Sequence, residues 1–163
     1  FDSDCVPITK EGFEESLKKV EKTGTFIGIA QASNHIKGHQ NHIFAAPGFF
    51  VMSKDIYDTM NQPRLAGTQR SDAAQEATHV ADEMGIKYDI IYPTHYEEGP
   101  AEMRGKPWNL GEYGYFGIGT VYGNVAYHLY QGRMRRHIDL FEKRCNEIVD
   151  GTFSTDNMHS SIK

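Results

Sequence analysis

The sequence feature that most constrains the fold is an amphipathic helical pattern that runs directly into an apolar strand. Residues 9–23 open on a Thr and repeat their apolar side chains at spacings of four and three, which is the period of a helix. Gly24 is a typical terminating residue, and residues 26–30 are an apolar run of strand type. A helix that leads straight into a buried strand predicts an α/β fold.

The rest of the chain continues this alternation. Pro47 and Gly48 interrupt the next apolar run, which predicts two short strands or one bent strand. Ser71 as N-cap and Gly85 just after the last turn predict a second long helix. The remaining predicted segments are a bent or double strand over 43–52, a short helix over 56–60, a helix over 71–84, a strand over 88–92, a Gly-rich aromatic stretch over 108–130 and a final helix over 134–149.

Length predicts one domain, because 163 residues fall within the usual range for a single hydrophobic core. We place that domain over residues 1–151. Residues 152–163 are polar and rich in Ser, which predicts a flexible tail without a catalytic role.

Charge and composition exclude several classes of protein. A formal net charge of -5 argues against nucleic-acid binding, which normally shows a basic face. No apolar run is long enough for a membrane span. Cys5 and Cys145 are the two cysteines and lie far apart, so neither a disulfide scaffold nor a structural zinc site is indicated, and a cytoplasmic location is expected.

An Asp-x-Asp motif opens the sequence. In an extended segment, Asp2 and Asp4 project to the same side, so both carboxylates can face one ion. Mg²⁺ and Mn²⁺ prefer such oxygen ligands, often combined with substrate phosphates. The alternative is an exposed acidic turn with no ligand.

The residues around this motif resemble those at the centre of GT-A glycosyltransferases, which use nucleotide-sugar donors. The sequence Asp-Ser-Asp-Cys-Val-Pro at residues 2–7 is followed by a helix and a Gly-bounded strand, in the order typical of that family. Residues 45–54, Ala-Ala-Pro-Gly-Phe-Phe-Val-Met-Ser-Lys, resemble its acceptor-side strand, and residues 70–85 resemble its catalytic-carboxylate helix. The resemblance covers residues 1–132.

The resemblance implies a GT-A-like mixed sheet flanked by helices. It implies transfer of a sugar from a nucleotide-diphosphate donor to a carbohydrate or other hydroxyl acceptor. Asp2 and Asp4, with the late His128, would hold Mn²⁺ or Mg²⁺. The alternative for His128 is a structural histidine at the end of a strand.

The family's first strands, which hold the nucleobase, would precede Asp2. The resemblance therefore implies that these N-terminal strands are missing and that donor affinity is poor. An apolar strand such as residues 26–30 or 43–52 would then have an open edge, so a homo-oligomer is expected.

Asp72 is the candidate general base. At a helix start its carboxylate would be kept ionised and could accept the proton of an attacking hydroxyl, which implies inversion of configuration. Glu76 lies one helical turn later and is the alternate base or a ligand of the acceptor sugar. The alternative is that Asp72 only stabilises its helix electrostatically.

Three further residues are candidates for substrate binding. Gly48 and Gly119 permit close approach of the backbone, and Trp108 offers an aromatic face to a sugar. Trp108 is the ring that we expect to be exposed, since Lys106 and Pro107 precede it. Core packing is the alternative for most rings of the aromatic stretch.

Two other functions remain open from the sequence. One is a non-catalytic, transferase-like domain that binds a carbohydrate or a partner chain. The other is a metallohydrolase that uses His35, His39 and His42, which are spaced four and three apart. A zinc site there is disfavoured because Gly38 makes a continuous helix doubtful and no His-Glu-x-x-His motif is present.

Overall fold

The chain has a mixed α/β fold, and the α/β class predicted from the sequence is confirmed. A computed structural model describes residues 2–33, 42–98, 107–130 and 135–162. No helix within these ranges is long and apolar enough to cross a membrane. The helices are α1 (Lys10–Thr23), α2 (Lys54–Thr59), α3 (Gln75–Met84) and α4 (Arg135–Val149), with a 3₁₀ turn at Gly111–Tyr113.

The strands form three sheets in the described parts of the chain. Sheet A has the order β1-β9-β8-β5-β10, sheet B has the order β3-β2-β4, and sheet C pairs β6 with β7. The strands are β1 (Cys5–Pro7), β2 (Phe26–Ala32), β3 (Ile43–Met52), β4 (Asp89–Ile91), β5 (His95–Glu97), β6 (Trp108–Asn109), β7 (Tyr115–Phe116), β8 (Gly119–Tyr122), β9 (Ala126–Leu129) and β10 (His159–Ser160).

Helix α1 and strand β2 confirm the first sequence prediction. The Thr9 hydroxyl accepts a hydrogen bond from the Gly12 N–H at 2.9 Å, which satisfies one of the free N–H groups of the first turn. Gly24 ends the helix with φ 61°, a left-handed conformation that glycine adopts without steric cost. The chain then enters β2, whose residues are almost all buried.

The sequence predicted two short strands or one bent strand over residues 43–52, and the structure shows one bent strand, β3 of sheet B. Strand β2 runs antiparallel to β3 and parallel to β4. Gly28 pairs with Phe50, but Ile29 pairs with Ala46, so the register jumps across Pro47 and its neighbours and bends β3. Of the two strands that were alternatives for an open edge, β2 is the central strand and β3 is an edge strand of this sheet.

The two faces of sheet B pack against different helices. Phe26 and Ala45 form a cluster with Ala77 and Ala81 of α3. On the other face, Ile29 belongs to the main core, against which α1 packs. Because side chains alternate along β2, Gln31 shares the face of Ile29 and not that of α3.

Helix α3 begins later than predicted. It starts at Gln75, because Ala74 has φ 62° and this left-handed residue interrupts the helical backbone. Ser71 is not the N-cap, since its hydroxyl lies 2.6 Å from the Thr68 hydroxyl instead. Asp72 therefore lies before the helix, in the turn that leads into it.

The C-terminal residues are docked onto sheet A, which differs from the predicted flexible tail. His159 and Ser160 pair with β5. Ser161 is fully buried, and its backbone exchanges hydrogen bonds with Thr94 and Tyr115 at 2.9 and 3.1 Å. Backbone pairing of this kind leaves no signal in a polar side-chain pattern, so the sequence did not predict it.

A buried ion pair fastens α4 to sheet A. Arg144 donates two hydrogen bonds to Glu97, from Nε to Oε1 at 3.1 Å and from Nη2 to Oε2 at 2.6 Å. The Tyr127 hydroxyl donates to the same carboxylate at 2.7 Å. The Arg144 and Glu97 side chains are only 13% and 14% exposed, so the pair fixes the strand that carries Tyr127 and its neighbour His128.

We predict that Arg144→Met destabilises the fold by about 3 kcal/mol, because the Glu97 carboxylate would remain in a poorly solvated position without its cation. Lys143→Met is the matched control. Lys143 is the adjacent helical residue, but it is 63% exposed in its pair with Glu147, so its loss should cost less than about 1 kcal/mol. Urea unfolding measures both, and equal midpoints for the two variants would contradict the assigned role of Arg144.

Candidate functional site

The first described residues and a late strand meet at one place, where Asp4 faces His128. Strand β1 pairs antiparallel with β9 in a register that sets Cys5 opposite His128. The Leu129 N–H donates to the Asp4 carbonyl at 2.9 Å, which extends the pairing by one residue. His128 Nε2 then lies 3.5 Å from Asp4 Oδ1. Two residues predicted as metal ligands are therefore neighbours in the structure.

The other nitrogen of the His128 ring contacts Gln31. The side-chain amide of this β2 residue lies 3.3 Å from His128 Nδ1, and Gln31 is 8% exposed. The ring is thus held between two polar groups from different sheets. Sequence reasoning missed Gln31, although a glutamine inside the apolar segment Phe-Ile-Gly-Ile-Ala-Gln-Ala was a visible signal.

Gly48 has no side chain, and the His128 ring and Ile29 lie where a side chain at this position would be. A Cβ at this position would lie 2.6 Å from Ile29 Cδ1 and 3.2 Å from His128 Cδ2, closer than side chains normally approach. The Gly48 carbonyl also accepts a hydrogen bond from the Asp2 N–H at 3.2 Å. Gly48, predicted to bind substrate, therefore lies at the Asp4 and His128 pair and joins β3 to the Asp-x-Asp segment.

Asp2 and Asp4 do not lie in an extended segment, which corrects the geometry predicted from the sequence. The Cys5 N–H donates to the Asp2 carbonyl at 3.2 Å, so residues 2–5 form a turn. Asp2 is exposed, whereas Asp4 is half-buried. The turn brings Asp4 towards His128, and it leaves the Asp2 carboxylate on the surface beside Gly48.

The donor atoms at this position suit a hard divalent cation that shares its coordination with substrate phosphates. Asp4 supplies a carboxylate oxygen and His128 an imidazole nitrogen, and Mn²⁺ accepts both. Across the described ranges, no group of three or more His, Cys, Asp or Glu residues is arranged to hold a metal. Burial raises the pKa of the Cys5 thiol, which keeps it neutral and a poor ligand.

Asp72 and Glu76 belong to the α3 side of sheet B, opposite the face that carries Gln31. The Asp72 carboxylate accepts a hydrogen bond from the Ala73 N–H at 2.8 Å. The Asp72 N–H donates to Gln75 Oε1 at 2.8 Å, and Gln75 Nε2 lies 3.0 Å from His42 Nδ1. Because His42 directly precedes β3, whose first residue pairs with the last residue of β2, Asp72 lies near the carboxyl end of β2.

Glu76 is held by a cation. Arg70 Nε lies 3.1 Å from both oxygens of the Glu76 carboxylate, and Arg70 Nη2 donates to Oε1. Hydrogen bonding from Arg70 lowers the pKa of Glu76. A carboxylate that is ionised and paired with a guanidinium is a weaker proton acceptor, which disfavours Glu76 as a base.

Trp108 is half-buried, which corrects the prediction that it is exposed. Its ring stacks on Phe116 with centroids 5.1 Å apart and lies 4.7 Å from the Tyr130 ring. Tyr130 in turn meets the His128 ring edge-on at 6.3 Å. Trp108 therefore packs in a row of aromatic rings that leads to His128, and its face is taken by protein contacts.

The two remaining predictions concern Gly119 and the histidine loop. A Cβ at Gly119 would lie 2.4 Å from the Tyr127 hydroxyl and 2.6 Å from Glu97 Oε1, so this glycine makes room for the buried ion-pair network. His35 and His39 lie outside the described residues. His42 stacks on His79 at 4.2 Å and lies 3.4 Å from Asp82.

Comparison with known proteins finds no significant match for this chain among protein-family models, curated proteins or solved structures.

We predict that Gly48→Ala destabilises the protein by about 1 to 3 kcal/mol, because the added methyl group must displace Ile29 or the His128 ring. It should also shift the NMR signals of the His128 imidazole. Gly67→Ala is the control, since its nearest contact would be an ordinary 3.5 Å to the Ser71 carbonyl. That change should be neutral or stabilising by less than about 1 kcal/mol. Unchanged stability and unchanged His128 signals in Gly48→Ala would contradict this packing.

Proposed function

We propose that this chain is a metal-dependent glycosyltransferase of the GT-A type, which transfers a sugar from a nucleotide-diphosphate donor to a hydroxyl acceptor. The observation that carries the proposal is the approach to 3.5 Å of Asp4, in the turn before β1, and His128, on β9, which are distant in sequence. A carboxylate and an imidazole at this separation are ligands that suit a cation that also binds a diphosphate. The α/β architecture agrees with this type of fold.

Bound Mn²⁺ or Mg²⁺ would neutralise the charge that develops on a diphosphate leaving group. Asp4 contributes the anionic ligand and His128 the neutral one. The exposed Asp2 carboxylate lies in the same turn and is the nearest further carboxylate along the chain. Gly48 has no side chain to clash with Ile29 and the His128 ring, which pack against it, and its carbonyl holds the turn through the Asp2 N–H.

Gln31 determines which nitrogen of His128 is available. In the structure the amide nitrogen of Gln31 lies at Nδ1 and donates to it, so the ring proton is on Nε2, directed towards Asp4. Rotating the amide by 180° would let its oxygen accept from Nδ1–H, and the lone pair of Nε2 could then bind a cation. Histidine ligands are commonly oriented by such a hydrogen bond from the opposite ring nitrogen, so Gln31 acts as a positioning residue.

We assign proton transfer to Asp72, which lies near the carboxyl end of β2, although on the other face of sheet B from Gln31. Its carboxylate would accept the proton of the acceptor hydroxyl while that oxygen bonds to the anomeric carbon. The bond between the anomeric carbon and the diphosphate oxygen breaks, and the bonding electrons leave with the nucleoside diphosphate. The pairing of Glu76 with Arg70 supports this assignment.

A direct test incubates the full chain with Mn²⁺, a panel of nucleotide-diphosphate sugars and hydroxyl acceptors, and measures the nucleoside diphosphate released. We expect Asp4→Asn to weaken Mn²⁺ binding and to reduce the amount of nucleoside diphosphate released. Asp72→Asn should lower turnover by roughly 10² to 10⁴ and leave Mn²⁺ affinity unchanged, because a base acts only in the transition state. Asp55→Asn, at an exposed position on α2, is the control for a lost carboxylate.

Release that is absent from the wild-type chain with every donor would overturn the transferase proposal. Mn²⁺ affinity without nucleotide-sugar binding would favour a non-catalytic binding domain. Normal turnover of Asp72→Asn would refute the assignment of Asp72 as the base and would leave the transferase proposal intact.

We also predict that Gln31→Leu lowers Mn²⁺ affinity by about 10- to 100-fold, the usual effect of removing the partner of a ligating histidine. Gln69→Leu, at an exposed position, is the matched control and should bind Mn²⁺ as the wild type does. Electron paramagnetic resonance of free Mn²⁺ measures both affinities. Equal affinities in the two variants would show that Gln31 does not position His128.

A further inference from the structure

We infer that the cavity beside the Gly111–Tyr113 turn is a subsite for a neutral sugar, and this inference rests on the proposed function for its place in the reaction. The cavity has a volume of about 450 Å³. Ala32, Ile43 and Leu110 form its apolar part. Asn109, Glu112 and Tyr113 supply its polar and aromatic part. A concave site with apolar walls and a few polar groups is typical of small-molecule binding.

The cavity lies where the parallel strands of sheet B end. Strands β2 and β4 run in the same direction, with Ile29 opposite Ile91, so both end at one edge of the sheet. Ala32 is the last residue of β2 and lines the cavity. Ligands in α/β proteins bind preferentially outside the carboxyl ends of parallel strands, which makes this edge the expected place for a substrate.

Tyr113 provides an aromatic surface that is supported from behind. Its ring stacks on Tyr92, with centroids 4.1 Å apart and planes inclined by 11°. Tyr113 is still 41% exposed and lines the cavity, so one of its faces is covered and the other side of the ring remains accessible. Burial and the hydrogen bond to Tyr113 raise the pKa of Tyr92 to about 12, so the supporting ring stays neutral. A fixed aromatic ring suits the C–H face of a pyranose.

Polar groups flank this ring. Asn109 Oδ1 accepts a hydrogen bond from the Gly111 N–H at 2.8 Å, which orients the amide at the start of the turn. The amide nitrogen is a donor for a sugar hydroxyl, and the exposed Glu112 carboxylate is an acceptor. Of the described residues that line the cavity none is cationic, and the Glu112 charge repels phosphates, so these residues favour a neutral sugar over the nucleotide.

Two residues that line the cavity are connected, along the chain or through the core, to residues around Asp4 and His128. Ala32 directly follows Gln31, whose side chain contacts His128. Leu110 belongs to the same core cluster as Ile29, which flanks Gly48. Because the described lining residues suit a neutral sugar and not a diphosphate, we assign the subsite to the acceptor sugar of the proposed reaction.

The test is saturation-transfer NMR on the full chain with a panel of methyl glucosides, galactosides and mannosides, without metal or nucleotide. We expect at least one glycoside to receive saturation. Tyr113→Ala should weaken its binding by about tenfold, the value of one aromatic contact. Tyr113→Phe keeps the ring and should retain binding. Tyr113 is exposed, so both variants should fold, which thermal unfolding checks.

No saturation transfer to any glycoside of the panel, or equal transfer in the wild type and Tyr113→Ala, would overturn the subsite. Asp4→Asn separates this inference from the proposed function, because it should lose Mn²⁺ binding and keep glycoside binding. Glycoside binding in a chain that releases no nucleoside diphosphate would preserve the subsite and refute the transferase. Release of nucleoside diphosphate without Tyr113-dependent glycoside binding would support the transferase and overturn the subsite.

Discussion

The antiparallel pairing of β1 with β9 is the interaction on which the candidate site depends. It sets Cys5 opposite His128 and so carries the preceding Asp4 to within 3.5 Å of the imidazole. Strand β9 is held in turn by β8 on its other edge and by the buried Arg144 and Glu97 pair through Tyr127. The position of a two-residue site is thus fixed by a sheet and an ion pair that themselves take no part in the chemistry.

Rigid placement of His128 comes from what surrounds the ring. Gln31 approaches one nitrogen from sheet B, Asp4 approaches the other from sheet A, and Gly48 removes the side chain that would otherwise occupy the same space. A ligand held on strands is more precisely positioned than one held on a loop. The cavity at Tyr113 lies at the edge of the same sheet B, which joins the two proposed binding regions on one scaffold.

Local signals predicted the elements that depend on local chemistry. The Thr9 cap, the Gly24 terminus and the bend at Pro47 were all predicted from the sequence. The start of α3 was not, because a left-handed alanine at position 74 has no signature in composition. Asp4 was predicted as a ligand from the Asp-x-Asp motif, and His128 only through the family resemblance. Gln31 was missed, since a long-range contact between strands cannot be read from spacing. The docking of Ser161 onto sheet A was not predicted, for the same reason.

The central claim is that Asp4 and His128 form a binding site for a divalent cation. Titrating substoichiometric Mn²⁺ into protein labelled with ¹⁵N-histidine tests it most directly, because the ion broadens the signals of nearby imidazoles. We expect the His128 signals to broaden first and those of His159, on β10 at the far edge of sheet A, to persist longest. Broadening that reaches His159 first, or that affects both histidines equally, would contradict the site.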